Sequence, residues 1–319
     1  MKNYRRLGML FMGIGMMFFS TKSIAQNSFY SVNVGGVKVT SLSDGSVDID
    51  VDQLFDSKEG VKASDLIKNA YLVNPVEVSI NAYLVQYANK NILIDTGAGQ
   101  IFGDHAGKLV NTLKQYGLKP EEITDILITH IHVDHVGGLV VDNKMVYPNA
   151  TIHVNEIEYN YWMKTMNSDK ARSGLAKEQQ KIVENVQKVV TVYANSKQIQ
   201  TFKNNNRELL SHIEVLPTVG HTPGHTVFVL SSNGHSMYFW GDLVHVASVQ
   251  FEEPFMINHF DEDIELAKRV RSAFYDKMVE GEYLIGGAHQ SFPGFGRMRK
   301  VGERYQWLPV PYSVIGRTK

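Results

Sequence analysis

Side chains that bind metals are concentrated in one short segment of this 319-residue chain. The stretch ILITHIHVDHVGG (126–138) places His130, His132, Asp134 and His135 directly after an apolar run. Imidazole and carboxylate groups bind zinc and similar divalent ions, and the chain has no cysteine that could offer a thiolate instead. The segment therefore predicts a divalent metal site built from histidine and aspartate.

Three further candidates follow the same design, in which an apolar strand ends and a histidine or aspartate comes next. His221 follows 215–220, Asp242 ends MYFWGD, and His289 follows 283–287. Residues that leave the same edge of neighbouring strands converge in space. We therefore expect these three side chains to join the first cluster.

The spacing within the first cluster predicts two metals rather than one. In an extended segment His130 and His132 lie on the same side, whereas Asp134 and His135 can turn toward a second point as a helix begins. Asp242 can lie between the two metals, because a carboxylate has two oxygens and can span ions about 3.5–4 Å apart.

The elements that must hold these residues alternate between strands and helices. Apolar alternation predicts strands on either side of Gly35-Gly36 and two strands within 78–96. Further strands are predicted at 125–129, 213–219, 226–230, 237–241 and 283–286. Helical spacing predicts helices at 107–116, 155–192 and 263–279. No linker rich in Pro, Gly or Ser divides the chain, so we expect a single domain over 26–319.

The N-terminus is typical of an export signal. MKNYRR is followed by an uncharged apolar run and by small residues at Ser23-Ile24-Ala25, so residues 1–25 are predicted to be a cleaved signal peptide and the mature protein periplasmic or secreted. The apolar run has thirteen residues, fewer than the ~20 needed for a membrane span. The remaining chain has 28 basic and 33 acidic side chains, a net charge of −5, which argues against nucleic acid as a partner.

HIHVDH matches the HxHxDH motif of the metallo-β-lactamase superfamily, and His221, Asp242 and His289 follow in that family's order. The resemblance covers essentially all of the mature chain and implies an α/β fold, the αββα four-layer sandwich. It implies one metal on His130, His132 and His221, and a second on Asp134, His135 and His289. Asp242 lies between them, and two divalent ions, zinc first, with manganese or cobalt open, are the implied cofactors.

A narrower resemblance comes from GHTPGHT, GDLVHVASVQFEEP, YLIGGAHQSFPGFG and YQWLPVPYSV, which look similar to methyl parathion hydrolase and its lactonase relatives. It implies a hydrolase that opens N-acyl homoserine lactones by attack of a metal-bridging hydroxide, with Asp134 passing a proton to the leaving alkoxide. Hydrolysis of organophosphate triesters in the same pocket is the alternative. A β-lactamase or a non-enzymatic metal binder is disfavoured, since the full ligand set is present. The partner is a small lactone or ester, and a homodimer is an open alternative for the oligomeric state.

Residues around the metals decide the substrate. His245 stands where lactonases of the superfamily often place a tyrosine that donates to the substrate carbonyl, so it is a candidate catalytic donor; its alternative role is merely to line the cleft. Phe102, Tyr159 and Trp162 are candidates for an apolar pocket, although aromatics at helical spacing also occur in cores. Asp95 and His225 are expected to support neighbouring ligands.

Overall fold

The computed structural model describes residues 27–205 and 208–312; the predicted signal peptide (1–25) lies outside them. The strands of the described residues are β1 (Phe29–Val34), β2 (Val37–Ile49), β3 (Val76–Tyr87), β4 (Lys90–Ile94), β5 (Asp125–Leu127), β6 (Val140–Val141), β7 (Lys144–Met145), β8 (Thr151–Asn155), β9 (Ile199–Phe202), β10 (Glu208–Leu210), β11 (Ile213–Pro217), β12 (Thr226–Ser232), β13 (His235–Phe239), β14 (Leu284–Gly286), β15 (Phe295–Val301) and β16 (Arg304–Pro309). The α-helices are α1 (Val51–Leu54), α2 (Ala63–Asn69), α3 (Leu109–Tyr116), α4 (Val133–Val136), α5 (Glu156–Asn160), α6 (Asp169–Arg172), α7 (Lys177–Asn195), α8 (Ala247–Gln250) and α9 (Ile264–Glu280).

Most strands belong to two seven-stranded sheets. The first has the order β1-β2-β3-β4-β5-β8-β9, antiparallel up to β4 and parallel from β4 to β9. The second has the order β10 to β16 and is antiparallel except where β13 runs parallel to β14. The strands β6 and β7 form a separate hairpin.

The two sheets pack face to face because their strands alternate apolar side chains between two faces. In β3, Tyr83 and Val85 point to the interface between the sheets, where they meet Phe228 and Phe239 of the second sheet, whereas Leu84 points to the opposite face. Burying one such side chain contributes about 1.5–3 kcal/mol, so this interface is a main source of stability.

Helices cover the two outer faces. Leu113 of α3 and Val186 of α7 pack on the outer face of the first sheet. Phe274 and Met278 of α9 pack on the outer face of the second. The result is helix, sheet, sheet and helix in four layers, which confirms the predicted αββα fold.

The structure differs from the sequence prediction in the helices after residue 155 and in several elements that were not predicted. The stretch 155–192 is helical but divided: α5 continues into a π-helical turn at Tyr161–Thr165, and α6 and α7 are separate helices. Ser168 explains one break, because its hydroxyl donates to Thr165 O and accepts from the Ala171 N–H, which caps a new helix. The strands β6 to β10, β15 and β16 and the short helices α1, α2 and α8 were not predicted. Within residues 27–205 and 208–312 no helix is long and apolar enough to cross a membrane.

Candidate metal centre

The loops that leave four strands bring the predicted ligands to one edge of the sandwich. His130 and His132 follow β5, and α4 then begins and carries Asp134 and His135. In the second sheet, His221, Asp242 and His289 follow β11, β13 and β14 respectively. Five of these seven residues are buried, whereas His132 and Asp134 are half-buried, with 17% of the Asp134 side chain exposed.

The seven residues form two groups that share Asp242. One group is His130, His132, His221 and Asp242, and the other is Asp134, His135, His289 and Asp242. In each group, one potential ligand atom per residue lies within 4.8 Å of the others. We call these the first and the second cluster.

Asp242 faces each cluster with a different oxygen. Its Oδ2 lies 3.5 Å from Nε2 of both His130 and His221, in the first cluster. Its Oδ1 lies 3.0 Å from His135 Nε2 and 3.1 Å from His289 Nε2, in the second cluster. A carboxylate between two groups of imidazoles has the arrangement expected of a bridge between two cations.

Hydrogen bonds at Nδ1 orient most of the imidazoles so that Nε2 points into the clusters. In each case the partner of Nδ1 is an acceptor: Thr129 Oγ1 for His130 (3.1 Å), Asp95 for His135 (2.8 Å), Asp261 for His221 (3.1 Å) and the Ser79 carbonyl for His289 (2.9 Å). A ring whose Nδ1–H donates keeps the lone pair of Nε2 free. His132 is turned the other way, with its Nδ1 3.0 Å from Nε2 of both His130 and His221.

The charge and hydrogen bonding of the clusters fit a divalent cation. His135 Nε2 and Asp242 Oδ1 are buried without a hydrogen-bond partner among the described residues. Burial and the neighbouring His135 hold the pKa of His130 well below its usual range. Burial would raise the pKa of Asp242, but the surrounding imidazoles hold it well below its usual value. Burial would lower the pKa of His135, His221 and His289, but Asp242 and neighbouring carboxylates raise it, to about 9 for His221. Imidazoles around an ionised carboxylate are the donor set of zinc and related ions.

His245 lies against both clusters but has the opposite hydrogen-bonding pattern. Asn258 Oδ1 accepts from the Phe260 N–H, so the Asn258 amide NH₂ is left to donate to His245 Nδ1 (3.1 Å). Nδ1 is therefore the acceptor, and the neutral ring carries its proton on Nε2. Burial lowers the pKa of His245 to about 4, which keeps the ring neutral near pH 7. Its Nε2 is 3.2 Å from Asp242 Oδ2 but has no hydrogen-bond partner in the described part of the chain.

His225 supports the site without facing it as a ligand. Its Nε2 accepts the backbone N–H of Asp242 (3.0 Å), and its Nδ1 lies 2.8 Å from Thr218 Oγ1. Both ring nitrogens are thus occupied. Asp95 also supports the clusters, since it accepts from the backbone and hydroxyl of Thr129 as well as from His135.

The predicted pocket aromatics lie in different environments. Trp162 is buried and meets the His132 ring edge-on, with centroids 5.5 Å apart. Phe102 and Tyr159 are half-buried and pack against the apolar core, so their pocket role stays a prediction. Phe260, which the sequence did not single out, is half-exposed with its ring 5.4 Å from His245.

Three more polar residues were missed by sequence reasoning: Glu158, Asn258 and Asp261. Each is buried and contacts a cluster residue or the loop that carries one. None lies at a strand end or in a motif. An acidic run such as DED (261–263) is typical of a solvent-exposed surface. No local signal would have found them.

Comparison with known proteins agrees with this geometry. The family model of the Metallo-beta-lactamase superfamily matches residues 75–277. An N-acyl homoserine lactonase of Bacillus thuringiensis is 23% identical over 205 residues, which are 58% of this chain and 71% of that protein.

Two solved structures match most of the chain. The crystal structure of a hydrolase, AbOPH, in the beta lactamase superfamily is 32% identical with a TM-score of 0.83, and the match covers 91% of this chain and 99% of that one. The dizinc quorum-quenching lactonase AidC, in complex with a product homoserine, is 25% identical with a TM-score of 0.82, covering 90% and 98% of the two chains.

Proposed function

The chain belongs to the metallo-β-lactamase superfamily and is a metal-dependent hydrolase, and we propose that it opens the ester bond of N-acyl homoserine lactones. Two similar proteins support this substrate class: the Bacillus thuringiensis relative is an N-acyl homoserine lactonase, and the AidC structure contains a product homoserine. We propose that His130, His132 and His221 hold one ion, that Asp134, His135 and His289 hold the other, and that Asp242 bridges them. The dizinc relative supports zinc at both positions.

The observation that carries the lactone proposal is the unpaired Nε2–H of His245. This N–H is buried beside Asp242, and Asn258 fixes the tautomer that keeps the proton there. Asp242 Oδ2 lies 3.2 Å away but is not aligned to accept, so this donor is available to an acceptor of the substrate. The carbonyl oxygen of a lactone is such an acceptor, and it gains negative charge during ring opening.

The rest of the site provides the other functions that ring opening needs. When bound, a pair of divalent ions supplies Lewis acidity, which activates water and polarises a carbonyl near neutral pH. Asp134 is the most accessible carboxylate of the clusters, with Oδ2 3.4 Å from His289 Nε2, and we assign it the transfer of a proton to the leaving alkoxide. Phe260, which is half-exposed beside His245, offers apolar surface for the acyl chain, whereas Trp162 is buried behind His132.

Comparing kcat/KM for a series of N-acyl homoserine lactones with that for an aryl dialkyl phosphotriester tests the proposal. The lactones should be the better substrates. A phosphotriester kcat/KM that is larger by about 100-fold would refute the lactonase assignment and favour the alternative, phosphotriester hydrolysis.

His245→Phe sharpens the test, because it removes the donor and keeps an aromatic ring. We expect lactone turnover to fall by about 10²–10³-fold, the usual effect of removing one donor to a developing oxyanion. Phosphotriester turnover and metal content should change little. His235→Phe, at an exposed histidine on β13, is the matched control and should leave both activities unchanged. Equal losses on both substrates for His245→Phe would contradict the donor role.

A further inference from the structure

Glu158 is a fully buried carboxylate to which the mechanism above gives no role. It lies on α5, and its side chain forms no ion pair with a Lys or Arg of the described residues. Burying a carboxylate costs several kcal/mol unless hydrogen bonds compensate for the lost water. Hydrogen bonds from neighbouring groups must therefore stabilise the buried Glu158 carboxylate.

Four donors surround the carboxylate, two at each oxygen. Oε1 accepts from the Ile131 N–H and from Trp162 Nε1–H, both at 2.8 Å. Oε2 accepts from the Thr222 hydroxyl at 2.7 Å and from the Gly224 N–H at 2.8 Å. Three of these donors cannot act as acceptors, so only a group that accepts at both ends fits the site. Glutamine has the same shape, but its NH₂ would face donors.

The donors flank all three histidines of the first cluster. Ile131 lies between His130 and His132, and Thr222 directly follows His221. None of the four donors belongs to the second cluster or to its neighbouring residues in sequence. One side chain thus joins the two ligand loops of a single cluster, and these loops come from different sheets.

Close approach of the loop after His221 is part of this arrangement. A Cβ at Gly224 would lie 2.3 Å from the Glu158 backbone nitrogen and 2.5 Å from its Cβ, so only glycine allows the contact. The Trp162 indole is held by the same carboxylate while its ring meets His132 edge-on. The carboxylate therefore fixes an aromatic wall of the site together with the ligands.

We propose that Glu158 is a positioning residue that sets the geometry of the first cluster and thereby its affinity for a divalent ion. It acts through the two loops and touches neither ion nor substrate. The inference depends on the clusters being cation sites and is independent of which substrate is hydrolysed.

The test compares Glu158→Gln with the wild-type holoenzyme, using Zn²⁺ as the probe and titration with a chromophoric chelator as the readout. We expect one of the two zinc equivalents to bind about 100-fold more weakly and the other to be unchanged, because loss of a supporting group typically costs 10–100-fold in metal affinity. Asp44→Asn is the matched control: Asp44 is also buried and accepts from three backbone N–H groups, of Ala98, Gly107 and Leu109, none of which is next to a cluster residue in sequence. It should destabilise the fold and leave both zinc affinities within about 3-fold.

Single-cluster backgrounds identify which zinc responds. With His289→Ala, which leaves the first cluster intact, Glu158→Gln should weaken the remaining zinc. With His221→Ala, which leaves the second cluster, it should have no effect. Thr222→Val removes only one of the four donors and should weaken the same zinc by about 10-fold, so the test remains decisive if Glu158→Gln does not fold.

Two results would overturn the proposal. One is a lower unfolding midpoint of metal-free Glu158→Gln, or of Thr222→Val, with both zinc affinities intact, which would mean a role in stability alone. The other is an equal weakening of both zinc ions. Neither depends on lactone turnover, so failure of this inference is distinguishable from failure of the proposed function.

Discussion

Replacing Arg271 by Met should destabilise the metal-free protein and weaken one metal site. Arg271 is buried on α9, where its Nη2 donates to Asp261 Oδ2 at 2.8 Å and its Nε donates to the Leu243 carbonyl at 2.7 Å. Asp261 in turn accepts from His221 Nδ1. Burial would raise the pKa of Asp261, but His221 and Arg271 hold it at about 2, so the carboxylate is charged when buried.

The expected loss of stability follows from the charge of Asp261, which Met would leave buried without its partner. Breaking a buried ion pair by removing one partner costs about 3–5 kcal/mol, because the other charge is left buried without compensation. Arg271 Nη1 is buried without a hydrogen-bond partner among the described residues, which lowers the net stabilisation from the native ion pair. We therefore expect a loss of about 3 kcal/mol, at the lower end of this range. At about 2–4 °C per kcal/mol, the thermal midpoint should fall by about 6–12 °C.

Guanidinium unfolding of metal-free protein in the presence of a chelator measures this loss directly. Arg269→Met, at an exposed position of the same helix, should change stability by less than about 0.5 kcal/mol. The double variant Asp261→Asn/Arg271→Met removes both charges and should be more stable than Arg271→Met alone. A loss below about 1 kcal/mol for Arg271→Met, or a double variant that shows the sum of both single losses, would refute the reasoning.

Three further predictions concern the bridge, the charge of one buried carboxylate and the close approach of two segments. Asp242→Asn should lower bound zinc from about two equivalents to at most one, since an amide lacks two anionic oxygens; two equivalents by elemental analysis would contradict the bridge. Burial would raise the pKa of Asp125, but hydrogen bonds from a histidine and a lysine hold it at about 2. Because this folded pKa lies below the unfolded value of about 3.9, its stabilisation is complete above about pH 4 and is lost as pH falls toward 2. The difference in unfolding free energy between metal-free wild type and Asp125→Asn should therefore shrink over that range; a constant difference would exclude this linkage. Gly224→Ala should cost about 1–3 kcal/mol through its clash with Glu158, whereas Gly174→Ala, at an open position, should be nearly neutral in the same unfolding assay.

The sequence was sufficient for the fold and for the membership of the two clusters. Strand faces follow from alternation, and the structure places Tyr83 and Leu84 on opposite faces of β3 as that period requires. His130 and His289 were found because each follows an apolar strand, and strand ends meet at one edge. Both inferences need only local pattern and the family motif.

The supporting residues could not be predicted, since their roles depend on partners distant in sequence. Glu158 contacts Gly224 from a position 66 residues away, and Asp261 contacts His221 across 40 residues. The division of 155–192 was missed for a related reason: amphipathic spacing continues through it, while Ser168 side-chain hydrogen bonds restart the helix.

The segment between α8 and α9 contains Asn258 and Asp261, which determine whether Nε2 of His245 and of His221 is free to bind a cation. Asp261 accepts from His221 Nδ1, so the lone pair of His221 Nε2 is free for a metal. Three positions earlier, Asn258 donates to His245 Nδ1, so Nε2 of His245 carries a proton and cannot be a ligand while that bond lasts. The two imidazoles lie with centroids only 4.8 Å apart and both approach Asp242. Their different roles therefore come from the amide and the carboxylate behind them and not from their distance to the site, which is why a histidine beside a metal cluster is assigned by the partner of its other nitrogen.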